Sequence, residues 1–244
     1  MKLKALMGGL SLNELDGFEE ELEEELETEI DELLQKGEIK PTGVKEESDS
    51  KQAESKEDEI EKNVVKPRIK GVMSRMNLAV EQIDLLSLTQ KMRNTEYNPK
   101  RYPGLILRSR QPRSVSSIFA SGKVTLQTRT TGEAKQAARK VAKLVQKITG
   151  NDSVRCSDFE ITNILGSGSV PFRVRLENLA SEHHKYASYE PDLFPGLVYR
   201  VESPKCVLLV FASGRVVLTG ARTEDALMKG FDLLYPVLCK HRRA

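Results

Sequence analysis

Between residues 11 and 34 the apolar side chains fall at Leu12, Leu15, Phe18, Leu22, Leu26, Ile30 and Leu33. Steps of three and four place them in one narrow stripe on a helix whose remaining surface is acidic. Gly17 weakens the first turn and Gly37 ends the pattern, so an acidic amphipathic helix is expected over 1–37. Residues 38–66 hold mostly Lys, Glu, Ser and Asp and predict a disordered linker. From 67 to 244 short runs of alternating apolar and polar residues take over. They predict strands at Ile69–Met76, Leu105–Arg110, Arg113–Phe119 and Lys123–Thr128. A helix follows, with Ala134, Ala137, Ala138, Val141, Leu144, Val145 and Ile148 on one face.

The same plan then returns. Strands are expected at Phe159–Leu165, Leu197–Val201, Lys205–Phe211 and Arg215–Thr219, closed by a helix with Leu227, Phe231, Leu234 and Leu238. Specific strings recur as well. Tyr102-Pro103-Gly104-Leu105 matches Phe194-Pro195-Gly196-Leu197, and Ile118 to Val124 matches Val210 to Val216, both at an interval of 92 residues. Two copies of one unit, 67–150 and 151–244, predict two like halves related by a pseudo-dyad. The order strand–helix–strands–helix, twice, is an α+β plan: one antiparallel sheet with helices on one face and the other face free.

Charge divides the chain where the pattern changes. Residues 1–66 hold 21 acidic and 9 basic side chains, and the remaining 178 hold 15 and 29. An acidic tail thus precedes a basic domain suited to an anionic partner, nucleic acid or membrane surface. A tail that is negative outside and apolar along one stripe is also suited to lie across that basic domain as a lid, with a solvated acidic helix, or one that pairs with another protein, as the alternative. Three scattered cysteines predict free thiols in a reducing compartment. The apolar run Val207–Phe211 is too short to cross a bilayer, and the N-terminus lacks a cleavage signal, so a soluble intracellular protein without membrane partners is expected. No cofactor is expected: the glycines fall in hairpin turns, and His183, His184 and His241 lack catalytic or metal-ligand spacing, which excludes an enzyme reading.

On the free face of the second unit, alternation puts Val207, Leu209 and Phe211 together with Val217 and Thr219. Arg108, Arg113, Lys123, Arg200, Lys205 and Arg215 flank such rows. An apolar centre with a cationic rim suits the DNA minor groove, sugar and base edges at the middle and phosphates outside. Tyr102, Phe119, Phe194 and Phe211 become wedges between base steps, and ordinary core packing is the alternative for each ring.

The chain is similar in these segments to the TATA-box-binding protein family. The residues that carry the resemblance are Asn94 to Arg101, Ser117 to Lys123, Ser188 to Leu197 and Val207 to Gly220. The resemblance implies a pseudo-twofold saddle whose concave sheet grips and kinks the minor groove near promoters, in the nucleus. It implies wedges at Tyr102, Phe119, Phe194 and Phe211, and phosphate contacts from Arg101, Arg108, Lys123, Arg200, Lys205 and Arg215. Base-edge contacts would come from Asn163 and Thr219, with Leu165, Leu209 and Val217. Glu190, Asp192 and Leu193 match the loop that holds general transcription factor B, and Asn94, Glu96 and Arg110 the surface for general transcription factor A. TBP-associated factors are further implied partners.

The first unit departs from that pattern. Relatives carry the reading Asn and Thr in both halves, whereas here Gly71 and Gln127 stand in the first, 92 residues before Asn163 and Thr219. Thr125 and Ser117 replace the apolar Val217 and Leu209. Altered TATA selectivity is the expectation, and a paralogue that only sequesters general factors is the alternative.

Overall fold

A computed structural model of the chain describes residues 65–243. The acidic helix expected over 1–37, its role as a lid, and the linker as far as residue 64 lie outside the described residues. The first repeat runs β1 (Val65–Asn77), α1 (Leu85–Lys91), β2 (Thr95–Glu96), β3 (Leu105–Arg110), β4 (Arg113–Ile118), β5 (Lys123–Thr128) and α2 (Thr131–Thr149). The second runs β6 (Ser157–Ser169), α3 (Leu176–Glu182), β7 (Ala187–Ser188), β8 (Leu197–Val201), β9 (Cys206–Val210), β10 (Arg215–Ala221) and α4 (Glu224–Lys240). All ten strands form one antiparallel sheet in the order β2-β3-β4-β5-β1-β6-β10-β9-β8-β7. That order reads as two copies of one half-sheet joined at β1 and β6, which pair from Val65↔Ser169 to Asn77↔Ser157. The sheet is open, and its two edge strands are only two residues long, which limits the unpaired backbone they present.

Alternation decides which face the helices cover. Leu105, Leu107, Ile118, Val124 and Leu126 of the first half are buried with Ala137, Ala138, Val141 and Val145 of α2. Leu197, Leu208, Val210, Val216 and Leu218 are buried in the second half, as are Leu227, Phe231, Leu234 and Leu238 of α4. Val72 pairs with Ile164 across the seam, both nearly inaccessible, so the two helix-covered surfaces are one side of one sheet. Each long helix is capped by a threonine: Thr130 Oγ1 accepts the Glu133 N–H and Thr223 Oγ1 the Ala226 N–H, at 3.2 Å in both cases. Pro236 sits inside α4.

The backbone repeats closely up to the last strand of each half and then slips by one residue. In β5, Leu126, Gln127 and Thr128 pair in unbroken register with Ser74, Met73 and Val72. In β10, Leu218 pairs with Gly166 and Ala221 with Ile164, so Thr219 and Gly220 together stand opposite one residue, Leu165. This is a β-bulge, and Gly220 takes the left-handed backbone (φ 83°) that bulges favour. The expected interval of 92 therefore ends at the bulge. Thr128 corresponds to Ala221, and the caps Thr130 and Thr223 are 93 apart.

Candidate nucleic-acid interface

The sheet face away from the helices carries a pair of aromatic rings in each half, at the expected wedge positions. The hairpin turns Phe119–Lys123 and Phe211–Arg215 are built alike: the Phe119 N–H donates to Lys123 O, and the Phe211 N–H to Arg215 O, each at 2.9 Å. Tyr102 and Phe194 are placed by equivalent turns, their N–H groups donating to Asn98 O and Glu190 O, again at 2.9 Å. The rings then meet edge to face, Tyr102–Phe119 at 5.9 Å and Phe194–Phe211 at 5.8 Å between centroids. Each pair is seated on a glycine. A Cβ on Gly104 would stand 2.7 Å from Tyr102 Cε1, and one on Gly196 only 2.6 Å from Phe194 Cε1. All four rings are half-buried. Phe211 has the opposite parity to the helix-facing Leu208 and Val210, so the rings are not part of the core beneath the helices.

Between the wedges the two halves differ. In the second half Val198, Leu209, Val217 and Ser167 form one cross-strand row. The matching row of the first half is Ile106, Ser117, Thr125 and Arg75. Arg75 Nε pairs with Glu160 Oε1 at 2.5 Å, which adds a carboxylate to a face otherwise rimmed by cations. Sequence reasoning singled out neither residue, because their adjacency depends on the β1–β6 register. The second-half row is also less open than alternation predicts. Val217, Thr219 and Leu165 keep under a tenth of their surface, whereas Thr125, Gln127 and Met73 at the equivalent places of the first half are half-buried. Leu209 and Val207 remain half-buried.

Asn163 organises the bulge. Its Oδ1 accepts the Gly220 N–H at 2.7 Å, and its Nδ2 lies 3.0 Å from Thr219 Oγ1. The expected cations Arg101, Arg108, Lys123, Arg200 and Lys205 are exposed and Arg215 is half-buried. Arg108 and Arg200 occupy matched places, their N–H groups donating to Asn94 O and Tyr186 O at 3.0 and 2.9 Å. Asn94, Glu96 and Arg110 are exposed together around β2 and β3, lining one shallow cleft with Arg108. Glu190, Asp192 and Leu193 are exposed on the loop that ends at the Phe194 wedge, Leu193 at 61%.

The fold also joins groups that lie far apart in the chain. His241, buried after α4, donates Nδ1–H to Val237 O at 2.8 Å and turns Nε2 towards Glu182 Oε2 at 3.2 Å; its ring lies 5.7 Å from that of His183. The Arg175 N–H donates to His241 O at 2.9 Å, so this contact fastens the end of α4 to α3. Cys156, Cys206 and Cys239 are free thiols, and burial pushes the Cys206 thiol above its usual pKa. No helix among the described residues is long and apolar enough to cross a membrane.

A two-repeat sheet with helices on one side and paired rings on the other defines a class of DNA-binding scaffold. The family described as "Transcription factor TFIID (or TATA-binding protein, TBP)" matches residues 66–148 and 158–241. The chain is 42% identical over 202 residues to a TATA-box-binding protein of Schizosaccharomyces pombe, covering 81% of this chain and 86% of that one. It is 45% identical over 178 residues to TATA-box-binding protein 1 of Arabidopsis thaliana (72% and 88%), and 44% over 178 residues to that of Emericella nidulans (72% and 65%). Among solved structures, Methanococcus jannaschii TBP superposes with a TM-score of 0.60 at 28% identity, over 72% of this chain and 99% of that one. The chain belongs to the TATA-box-binding protein family, whose members are non-enzymatic DNA-binding transcription factors. Over the described residues the fold expected from the sequence, one antiparallel sheet in two like halves with helices on one face, is the fold found.

Proposed function

We propose that this protein binds promoter DNA through the minor groove, bends it by inserting its four rings, and recruits general transcription factors A and B and TBP-associated factors in the nucleus. The observation that carries the reading is the matched seating of Tyr102/Phe119 and Phe194/Phe211 on glycines, away from the helix-covered core. A ring pair that stands off the core is available to enter a base step, and unstacking a step costs about a few kcal/mol, offset by the contact area of a bent duplex. Arg101, Arg108, Lys123, Arg200, Lys205 and Arg215 supply phosphate contacts at the rim. Glu190, Asp192 and Leu193 serve factor B, and Asn94, Glu96 and Arg110 serve factor A. Selectivity for TATA is altered, because the first half lacks the Asn and Thr of the second. Deletion of residues 1–40 and DNA titration at fixed low salt test the acidic segment: tighter binding supports competition with DNA, and unchanged binding supports a solvated helix or one that pairs with another protein.

Mobility-shift titration of TATA and scrambled duplexes, with the bend angle read by end-to-end energy transfer, tests the reading. Tight binding with a large bend supports it, and equal, unbent binding of both duplexes overturns it. The Arg75–Glu160 pair, which joins β1 to β6 on the free face, favours a second reading, a paralogue that only sequesters general factors. Capture of those factors by a preparation that shifts no duplex would select that reading.

A further inference from the structure

The missing bulge changes which base pair the first half can accept. We infer that the second half of this protein requires an A·T pair beside the centre of its site, whereas the first half accepts G·C there through Gln127. The inference rests on the minor-groove reading above. In that groove A·T and T·A pairs show only acceptors, and a G·C pair adds the guanine amino donor.

In the second half the bulge and Asn163 make a donor surface. The backbone N–H of Gly220 must be the donor at 2.7 Å, which fixes Oδ1 as the inner atom of the Asn163 amide. Nδ2 then has one hydrogen for Thr219 Oγ1 at 3.0 Å and one left for an outside acceptor. An A·T edge supplies that acceptor, and a guanine amino group opposes it, donor against donor. Thr219 is almost inaccessible, so it orients the amide, and Asn163 does the reading.

In the first half three parts of this device are absent together. Gln127 alone occupies the place of Thr219 and Gly220, so there is no bulge N–H to satisfy. Gly71 stands where Asn163 stands, so there is no locked amide either. Thr128, at the place of Ala221, turns its hydroxyl inward to Val72 O and Thr130 O at 3.4 and 3.2 Å. What remains is the Gln127 amide, half-buried on the free face in a row with Val115 and Met73. A glutamine amide carries an acceptor as well as donors and is free to rotate. It can accept from a guanine amino group, and Gly71 puts no side chain at the place that Asn163 fills in the second half.

The test uses the full chain and a self-complementary, eight-base-pair alternating T-A site. One pair beside the centre is changed to G·C, or the two symmetry-related pairs are both changed, and each duplex is also made with inosine for guanine. Inosine removes only the minor-groove amino group. Because the site is symmetric, the protein can turn to place a single G·C under its first half. One G·C should then bind within about threefold of the parent, two should cost at least about tenfold, and two I·C pairs should restore binding. A tenfold cost already present with one G·C, or a double G·C bound as well as the parent, overturns the inference. Failure to prefer the parent duplex over a scrambled one overturns the minor-groove reading itself. Gln127→Ala should make the single G·C no better bound than the double. Unchanged tolerance in that variant would remove Gln127 from the role.

Discussion

At equivalent places under the two long helices, the second half carries Leu208, Gly166 and Leu227 where the first carries Ser116, Ser74 and Ala134. A Cβ on Gly166 would come within 3.0 Å of Leu227 Cδ2, so the large helix residue needs the bare sheet position. In the first half the sizes are exchanged, a small helix residue over a serine. The hydroxyls of Ser74 and Ser116 are buried without a partner, each at a cost of about 1–3 kcal/mol. The free face shows the same division, with Val198, Leu209 and Val217 against Ile106, Ser117 and Thr125. One backbone plan therefore supports an apolar, well-filled half and a smaller, more polar one. The difference teaches that the duplicated frame tolerates exchange of volume on one side of the sheet and of chemistry on the other, provided the turns and glycine seats are kept.

The contrast between the halves breaks most readily in the core. Leu208→Ala should destabilise by about 2–5 kcal/mol in denaturant unfolding, whereas Ser116→Ala, at the equivalent place, should stabilise by about 1 kcal/mol. Equal destabilisation by both would mean that the halves are packed alike. For DNA, Phe211→Ala should reduce affinity by about 30-fold in titration, using about 1.4 kcal/mol per tenfold, and Phe119→Ala by less. A greater loss from Phe119→Ala would make the first half the principal grip. Asn163→Ala should cost about tenfold on A·T DNA, with Gln127→Ala under about threefold on the same duplex. Smallest of all, Glu160→Gln removes a carboxylate from the face away from the helices and frees Arg75, so DNA binding should tighten by about two- to fivefold and its salt dependence steepen. Weaker binding would show that the Arg75–Glu160 pair supports the face.

Much of this frame was legible in the chain. Alternation located β3, β5 and β8 to the residue, and the repeated strings placed both ring pairs and both hairpins. The edge strands β2 and β7 were not, because two residues carry no alternation and their pairing is set by β3 and β8. The bulge escaped because the interval of 92 holds through Thr219, and the slip falls in a stretch where the repeats have little identity. The Arg75–Glu160 pair and the His241–Glu182 contact follow from strand register and helix docking, which no local spacing encodes. Val217 and Thr219 were placed on the right face, but their low exposure is not shared by Thr125 and Gln127 on β5, and alternation within one strand does not report that difference.

The seam between β1 and β6 has a consequence for how such a protein can change. Because the two copies share one hydrogen-bonded sheet, neither must be complete by itself, and a loss in one copy is held in place by the other. The first half is one residue shorter ahead of its cap, yet Thr130 caps α2 as Thr223 caps α4, so the cap and the helix do not depend on the bulge. On the minor-groove reading proposed above, duplication gives a route from a two-sided recognition surface to a directional one without passing through an unfolded intermediate.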